Sequence, residues 1–337
     1  MPRRARPRIL VLSGEPLFAS FFDGPRQRRL SRSFEWTRSV ARAGTPGLRS
    51  RLADADGLIT TWDSPSFDEA LPGLAPRLRL VAHCGGEVKA RFARPLFSRI
   101  TIANAPGPMA PYVAELALTF LLMAARRVDH YRKALRRPSN AIYKDAHLHG
   151  CGQDTLRGRA VGLVGFGRIG RALAGLLEPL GARVLVCDPH VPRASRSGVA
   201  FASLRHLLPR SEFLVLAAGL TYETRGMIGT KELALLPTGA TVINVARGGL
   251  LDLTALTREV RHGRLRCALD VTDPLEPLPL RHPLRRLPGA TLTPHVGAGA
   301  LAVRHAMADI VIDTLERFFR GEHVPNRVTP AMLDLMT

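Results

Sequence analysis

The chain is poor in lysine, cysteine and tryptophan, and it has no long uninterrupted apolar run. Of its 48 basic residues only Lys89, Lys133, Lys144 and Lys231 are lysines, so the formal charge of +20 is almost all arginine, spread from end to end. A nucleic-acid face would concentrate that charge and interleave it with aromatics. Neither is seen, so a general arginine bias explains the charge and no nucleic-acid partner is expected. Cys84, Cys151, Cys187 and Cys267 lie far apart, with no C-x-x-C pair and no cysteine–histidine spacing of a zinc site. That argues against a disulfide framework and suits a reduced, cytoplasmic protein. His147 and His149 form H-x-H without a supporting acid or cysteine, so no metal is expected. The run Ile9 to Leu12 behind the basic start is too short for a secretory h-region and reads as a first strand. "VAELALTFLLMAARR" carries Glu115 and ends in arginines before bilayer length, so no membrane span is expected.

What is present is a length of 337 residues and 46% hydrophobic content, enough for two domains with buried cores. Short β-branched runs, "RILVLS", "GLITTW", "LRLVAHC" and "TIANA", are separated by enough residues for crossover helices, the rhythm of a parallel α/β sheet. The helical spacing of Val113, Ala117, Phe120, Leu121 and Ala124 predicts one long helix over Tyr112 to Leu135. A loop with Pro138, Gly150 and Gly152 leads to a second strand series: "AVGLVG", "ARVLVCD", "FLVLAA", "ATVINVA", "CALDV" and "ATLTPH". Helix returns after His295 through Phe319. No solenoid repeat or low-complexity tract is present.

"AVGLVGFGRIGRALAGLLEPLGARVLVCDP" reads as strand, glycine turn, helix and strand. Gly165, Gly167 and Gly170 form G-x-G-x-x-G: the first lets the turn tighten, the second lets a pyrophosphate approach, and the third lets the helix pack closely. Alone the pattern is weak. With the flanking strand and helix, and with Asp188 ending the next strand, it points to a dinucleotide. A carboxylate at Asp188 accepts from ribose hydroxyls and repels a 2′-phosphate, which favours NAD over NADP. Arg193 and Arg196 follow closely and leave room for the phosphate of NADP.

Three further segments carry Arg247 ("INVARGGLLD"), Glu276 ("ALDVTDPLEPLP") and His295 ("LTPHVGAGA"). Singly, each has a bland reading: a solvated loop arginine, a turn acid between prolines, a packed strand-end histidine. All three fall just after predicted strand ends, where open α/β sheets bind ligands.

Here the sequence resembles the D-isomer-specific 2-hydroxyacid dehydrogenase family, through "TIANAPG", "VAELAL", "GLVGFGRIG", "LTYETRGMIG", "NVARGGLLD", "LDV" and "TPHVG". The resemblance implies a Rossmann nucleotide-binding domain (111–296) inserted into a flavodoxin-like substrate domain made of both chain ends (1–110 and 297–337), and a homodimer through the nucleotide domain. It implies a catalytic set of Arg247, Glu276 and His295. His295 would be the acid/base for the C2 hydroxyl, Glu276 would orient and charge-stabilise it, and Arg247 would hold the carboxylate and C2 oxygen of a 2-hydroxy or 2-oxo acid. Further implied contacts to NAD are Arg168 and Ile169 at the pyrophosphate and Val245, Ala246, Asp270 and Gly297 around the nicotinamide. Backbone N–H groups at Gly85 and Gly86 would assist substrate binding.

The chain departs from the family pattern in three places. "GGEVKAR" has Lys89 where the substrate loop usually has an acid, Met109 and Tyr112 replace a polar pair, and Ala217 and Gly219 replace a histidine and a proline. These departures leave the substrate side chain open. In the stretch with Glu276, Leu275 stands where the family often puts its glutamate. Counting from Arg247 places Glu276 at the usual interval, so Asp273 is read as a solvated turn acid. Two other readings come from the same family: an NAD-sensing, corepressor-like interaction protein, and a formate oxidiser. The second is disfavoured because that branch resembles a glutamine–histidine pair.

Overall fold

The computed structural model describes residues 6–40, 47–136, 141–149, 155–192, 198–334 and 336. The chain divides into two compact units, Met1–Met109 with Gly299–Thr337, and Ala110–Ala298. The second enters and leaves as one continuous segment.

The first unit is a five-stranded parallel sheet of β1 (Arg8–Leu12), β2 (Glu35–Ser39), β3 (Gly57–Thr60), β4 (Leu80–His83) and β5 (Thr101–Asn104). Its order, β2-β1-β3-β4-β5, is the flavodoxin-like one. β3 and β4 are buried along their whole length, as parallel strands covered on both faces are. The helix Leu301–Arg320 belongs to this unit and buries Val303, Met307, Val311 and Leu315, one face at helical spacing. Its acids Asp309, Asp313 and Glu316 pair with Arg26 and Arg29 of the helix Gly24–Ser33.

The second unit is a seven-stranded parallel sheet of β6 (Ala160–Val164), β7 (Arg183–Cys187), β8 (Val199–Phe201), β9 (Phe213–Leu216), β10 (Thr241–Asn244), β11 (Arg266–Leu269) and β12 (Ala290–Leu292). The order is β12-β11-β10-β9-β6-β7-β8. The chain winds outward from β6 through β7 to β8, then crosses to β9 on the other side. That reversal at β6 is the switch point at which doubly wound sheets bind ligands.

The single helix expected over Tyr112 to Leu135 is two, Met109–Ala125 and Val128–Ala134. The apolar stripe that packs Val113, Ala117, Phe120 and Leu121 onto the second sheet ends at Ala125. Arg127 then turns with φ 51, and its N–H reaches back only to the Ala124 carbonyl. The helix starts earlier than expected because Pro111 falls in its first turn, where no backbone donor is needed. Part of the loop with Pro138, Gly150 and Gly152 is a helix, Ala141–His149; those three residues lie outside the described residues.

Candidate active site

β6 delivers the glycine turn. Gly165 takes φ +95, and a Cβ there would stand 2.5 Å from the Ala218 nitrogen. A Cβ at Gly170 would stand 2.4 Å from the Gly165 carbonyl oxygen, so the helix Arg168–Leu177 packs against the turn only because the residue is glycine. Gly167 has the opposite character: nothing lies within 4 Å of its missing side chain. It stands at the N-cap of that helix without a side-chain cap, so the first-turn N–H groups around Arg168 and Ile169 are available to an anion. Asp188, just after β7, accepts from the Phe166 N–H at 2.7 Å and the His190 N–H at 2.9 Å. Its carboxylate braces the turn and keeps lone pairs for a ribose diol. Arg193 and Arg196 lie outside the described residues.

At the end of β10 the fully buried Asn244 shapes the next turn. Its Oδ1 accepts from the Ala246 N–H at 3.0 Å, and its Nδ2 donates to the Arg247 carbonyl at 2.9 Å. Val245 and Ala246 are buried, while Arg247 is half-buried and donates to the Ala246 carbonyl. A Cβ at Gly248 would stand 2.1 Å from the Thr272 carbonyl carbon. Glycine there brings the Arg247 turn directly against the backbone that leads to Glu276.

Asp270, 2% exposed after β11, builds the histidine loop. Its Oδ1 accepts from the Thr293 hydroxyl at 2.6 Å and the Val296 N–H at 2.8 Å, and its Oδ2 accepts from the Gly297 N–H at 3.0 Å. Its carbonyl accepts from the His295 N–H at 2.9 Å. These bonds hold His295 at φ 55, a left-handed conformation uncommon for a side-chain-bearing residue. The Nδ1 of His295 is hydrogen-bonded to Glu276 Oε1, and Glu276 Oε2 accepts from the Thr272 N–H at 3.1 Å. The ring is half-exposed and keeps Nε2 outside this pairing. Asp273 instead faces Arg225 across 3.8 Å in an exposed pair.

In the other unit, the Gly85–Gly86 turn follows β4. The Gly85 carbonyl accepts from the Ala105 N–H at 2.9 Å, and Asn104 Nδ2 donates to the Gly86 carbonyl at 2.7 Å. A Cβ at Gly85 would stand 2.5 Å from His83 Nε2 and 2.9 Å from Trp62 Nε1. Burial, helped by the Arg91 charge, pushes the His83 imidazole down to about 3, so it stays neutral, with Nδ1 on the Thr60 hydroxyl at 2.9 Å. Lys89 is exposed.

Asn244, Thr272 and Thr293 were not anticipated from the sequence. Each is a small polar residue with no motif of its own, and each acts on a partner brought near only by the fold. A cavity of about 750 Å³ in the second unit includes Thr241 and Arg266 in its lining, at the starts of β10 and β11. That is the opposite end of these strands from the histidine, and none of the candidate residues lines it.

A switch-point glycine turn and an acid-paired histidine lie on the same rim of one parallel sheet, an arrangement that suits a dinucleotide-dependent oxidoreductase. Residues 118–297 match the family described as D-isomer specific 2-hydroxyacid dehydrogenase, NAD binding domain. The chain belongs to that family, and its relatives named glyoxylate reductase and D-3-phosphoglycerate dehydrogenase are oxidoreductases acting on CH–OH donors. It is 34% identical over 290 residues to a glyoxylate reductase of Thermococcus kodakarensis, covering 83% of this chain and 85% of that one. It is 33% identical over 291 residues to a D-3-phosphoglycerate dehydrogenase of Mycobacterium leprae, covering 83% of this chain but spanning only 52% of that relative's length. Among solved structures it is similar to an NADPH-dependent glyoxylate/hydroxypyruvate reductase of Sinorhizobium meliloti in complex with NADP and malonate. That likeness has a TM-score of 0.75 and 26% identity, over 98% of both chains.

Proposed function

We propose that the protein transfers a hydride between NAD and C2 of a D-2-hydroxy acid or its 2-oxo acid, with His295 as acid/base, Glu276 as its partner and Arg247 as the substrate anchor. The observation that carries this reading is the Glu276–His295 hydrogen bond, with Glu276 itself fastened by the Thr272 N–H. The residues of the second unit suit a dinucleotide: open space at Gly167, uncapped helix N–H groups beyond it, and an acid at Asp188. The nicotinamide supplies or accepts the hydride; the rest falls to the chain.

With Nδ1–H held on the carboxylate, neutral His295 presents Nε2 as an acceptor. In the oxidation direction Nε2 takes the C2 hydroxyl proton, and Glu276 stabilises the imidazolium that results. In the reduction direction the same nitrogen returns the proton to the C2 oxygen. The planar guanidinium of Arg247 suits the substrate carboxylate and polarises the C2 oxygen. Substrate binding is also assigned, on the family resemblance, to the backbone of the Gly85–Gly86 turn. Asp188 supports NAD over NADP because a 2′-phosphate would meet its negative charge.

Glu276→Gln is expected to lower kcat for 2-oxo acid reduction on the order of 10²-fold and to shift a limb of the pH–rate profile, because the amide cannot stabilise the charged ring. Asp273→Asn is expected to change kcat by less than about 2-fold, as an exposed ion pair contributes little. Steady-state NADH oxidation of the two variants checks this. The reverse ranking would give Asp273, not Glu276, the role of histidine partner.

A further inference from the structure

Glu276 sits in a segment that the rest of the backbone does little to hold. Pro274 and Pro277 bring no N–H, and among the described residues no backbone–backbone hydrogen bond involves Asp273 to Leu278. Leu275 is 55% exposed, and Asp273 meets Arg225 only in an exposed pair. Firm attachment returns at Leu278, which is buried and whose carbonyl accepts from Arg285 Nε at 2.8 Å. A side chain on such a segment meets a fixed partner only if another constraint offsets the freedom of the chain.

Thr272 supplies that constraint twice. Its own backbone is fixed, since a Cβ at Gly248 would stand 2.1 Å from its carbonyl carbon, and glycine there seats the Arg247 turn against it. From that fixed point its N–H donates to Glu276 Oε2 at 3.1 Å, and its hydroxyl donates to the Leu275 carbonyl at 2.6 Å. The second bond acts on the peptide that leads into Glu276. A peptide unit is planar, so a hydroxyl that fixes the Leu275 oxygen also fixes the Glu276 nitrogen and Cα. Glu276 is thus gripped at its backbone and at one carboxylate oxygen, and the other oxygen is left for His295 Nδ1.

We propose that Thr272 is a positioning residue for the acid/base pair: its hydroxyl, closed on the Leu275 carbonyl, aims the Glu276 carboxylate at His295. All the residues concerned belong to the unit Ala110–Ala298. The inference rests on the proposed dehydrogenase function and deepens it, because it assigns part of the rate to a hydroxyl that acts only through Glu276.

Thr272→Val keeps the β-branched shape and removes only the hydroxyl. It is expected to lower kcat for 2-oxo acid reduction about 5- to 10-fold, the worth of one intramolecular hydrogen bond, with KM and NADH affinity within about 2-fold. The Leu275 carbonyl lies in an exposed bond and can turn to water, so the melting temperature is expected to stay within about 3 °C. The limb of the pH–rate profile that moves in Glu276→Gln is expected to move in the same sense, by less. Thr272→Ser restores the hydroxyl and is expected to return kcat to within about 2-fold of the unaltered protein. In a Glu276→Ala background Thr272→Val is expected to cost less than about 2-fold further, since the side chain it positions is gone. Undiminished kcat in Thr272→Val, a serine variant no better than the valine one, or equal losses in both backgrounds would each overturn the inference while leaving the Glu276–His295 pair in its role. So would a parallel fall in melting temperature, which would make Thr272 a structural residue only. No turnover of any oxo acid, or full activity in Glu276→Gln, would overturn the proposed function itself, and this inference with it.

Discussion

Replacing His295 with asparagine is expected to lower kcat for 2-oxo acid reduction by about 10²- to 10⁴-fold, the range for losing a positioned acid/base. NADH affinity is expected to stay within about 3-fold. Asparagine is chosen because it tolerates the left-handed backbone that residue 295 adopts at φ 55. The loop does not depend on the ring: its shape comes from the Asp270 carboxylate, which accepts from Thr293, Val296 and Gly297, and from the Asp270 carbonyl, which accepts the residue-295 N–H. The substitution therefore removes the proton donor and leaves the frame. Single-turnover kinetics combined with NADH fluorescence titration separates chemistry from binding. A kcat loss below about 5-fold would remove His295 from the chemistry, and a parallel loss of NADH binding would assign it a structural role.

Arg247→Met is expected to lower kcat/KM for the 2-oxo acid by roughly 10²- to 10³-fold, as truncating one member of a hydrogen-bonded charge pair costs about 2–5 kcal/mol. Arg247→Lys is expected to recover only part, because a point charge cannot offer two parallel N–H groups to a carboxylate. The turn should survive either change. Asn244 clamps its backbone at Ala246 and at the Arg247 carbonyl, and the close approach of Gly248 to Thr272 involves no side chain of Arg247. Steady-state kinetics of both variants over a range of oxo-acid concentrations checks this. A lysine variant as active as the unaltered protein would show that Arg247 supplies charge alone. A methionine variant as active would show that another group anchors the substrate.

The parts of the fold that could be read from the sequence are those whose residues face one kind of surroundings. β3, β4, β6 and β10 are buried on both sides and each centres on apolar residues, with Thr60, His83, Thr241 and Asn244 at strand ends. The edge strand β2 could not be read, since four of its five residues are polar, and the three-residue edge strand β8 was also missed. The break at Arg127 was also hidden, because Tyr131 and Leu135 prolong an apparent helical spacing past the point where the buried stripe stops.

The site divides in the same way. The glycine turn was legible because Gly165 and Gly170 answer to local crowding, which a short motif encodes. Asp270 was legible only as an acid at a strand end. That its carboxylate gathers three donors from residues 293–297 depends on β12 lying beside β11, a relation no local pattern carries.

The central claim is hydride transfer between nicotinamide and substrate C2, with proton transfer at His295. The most direct test uses NADH carrying two deuterium atoms at nicotinamide C4, incubated with the protein and a 2-oxo acid that it reduces. The account predicts a D-configured 2-hydroxy acid with one deuterium at C2. Product without deuterium at C2, or no product across the oxo-acid panel while NADH is bound, would contradict it.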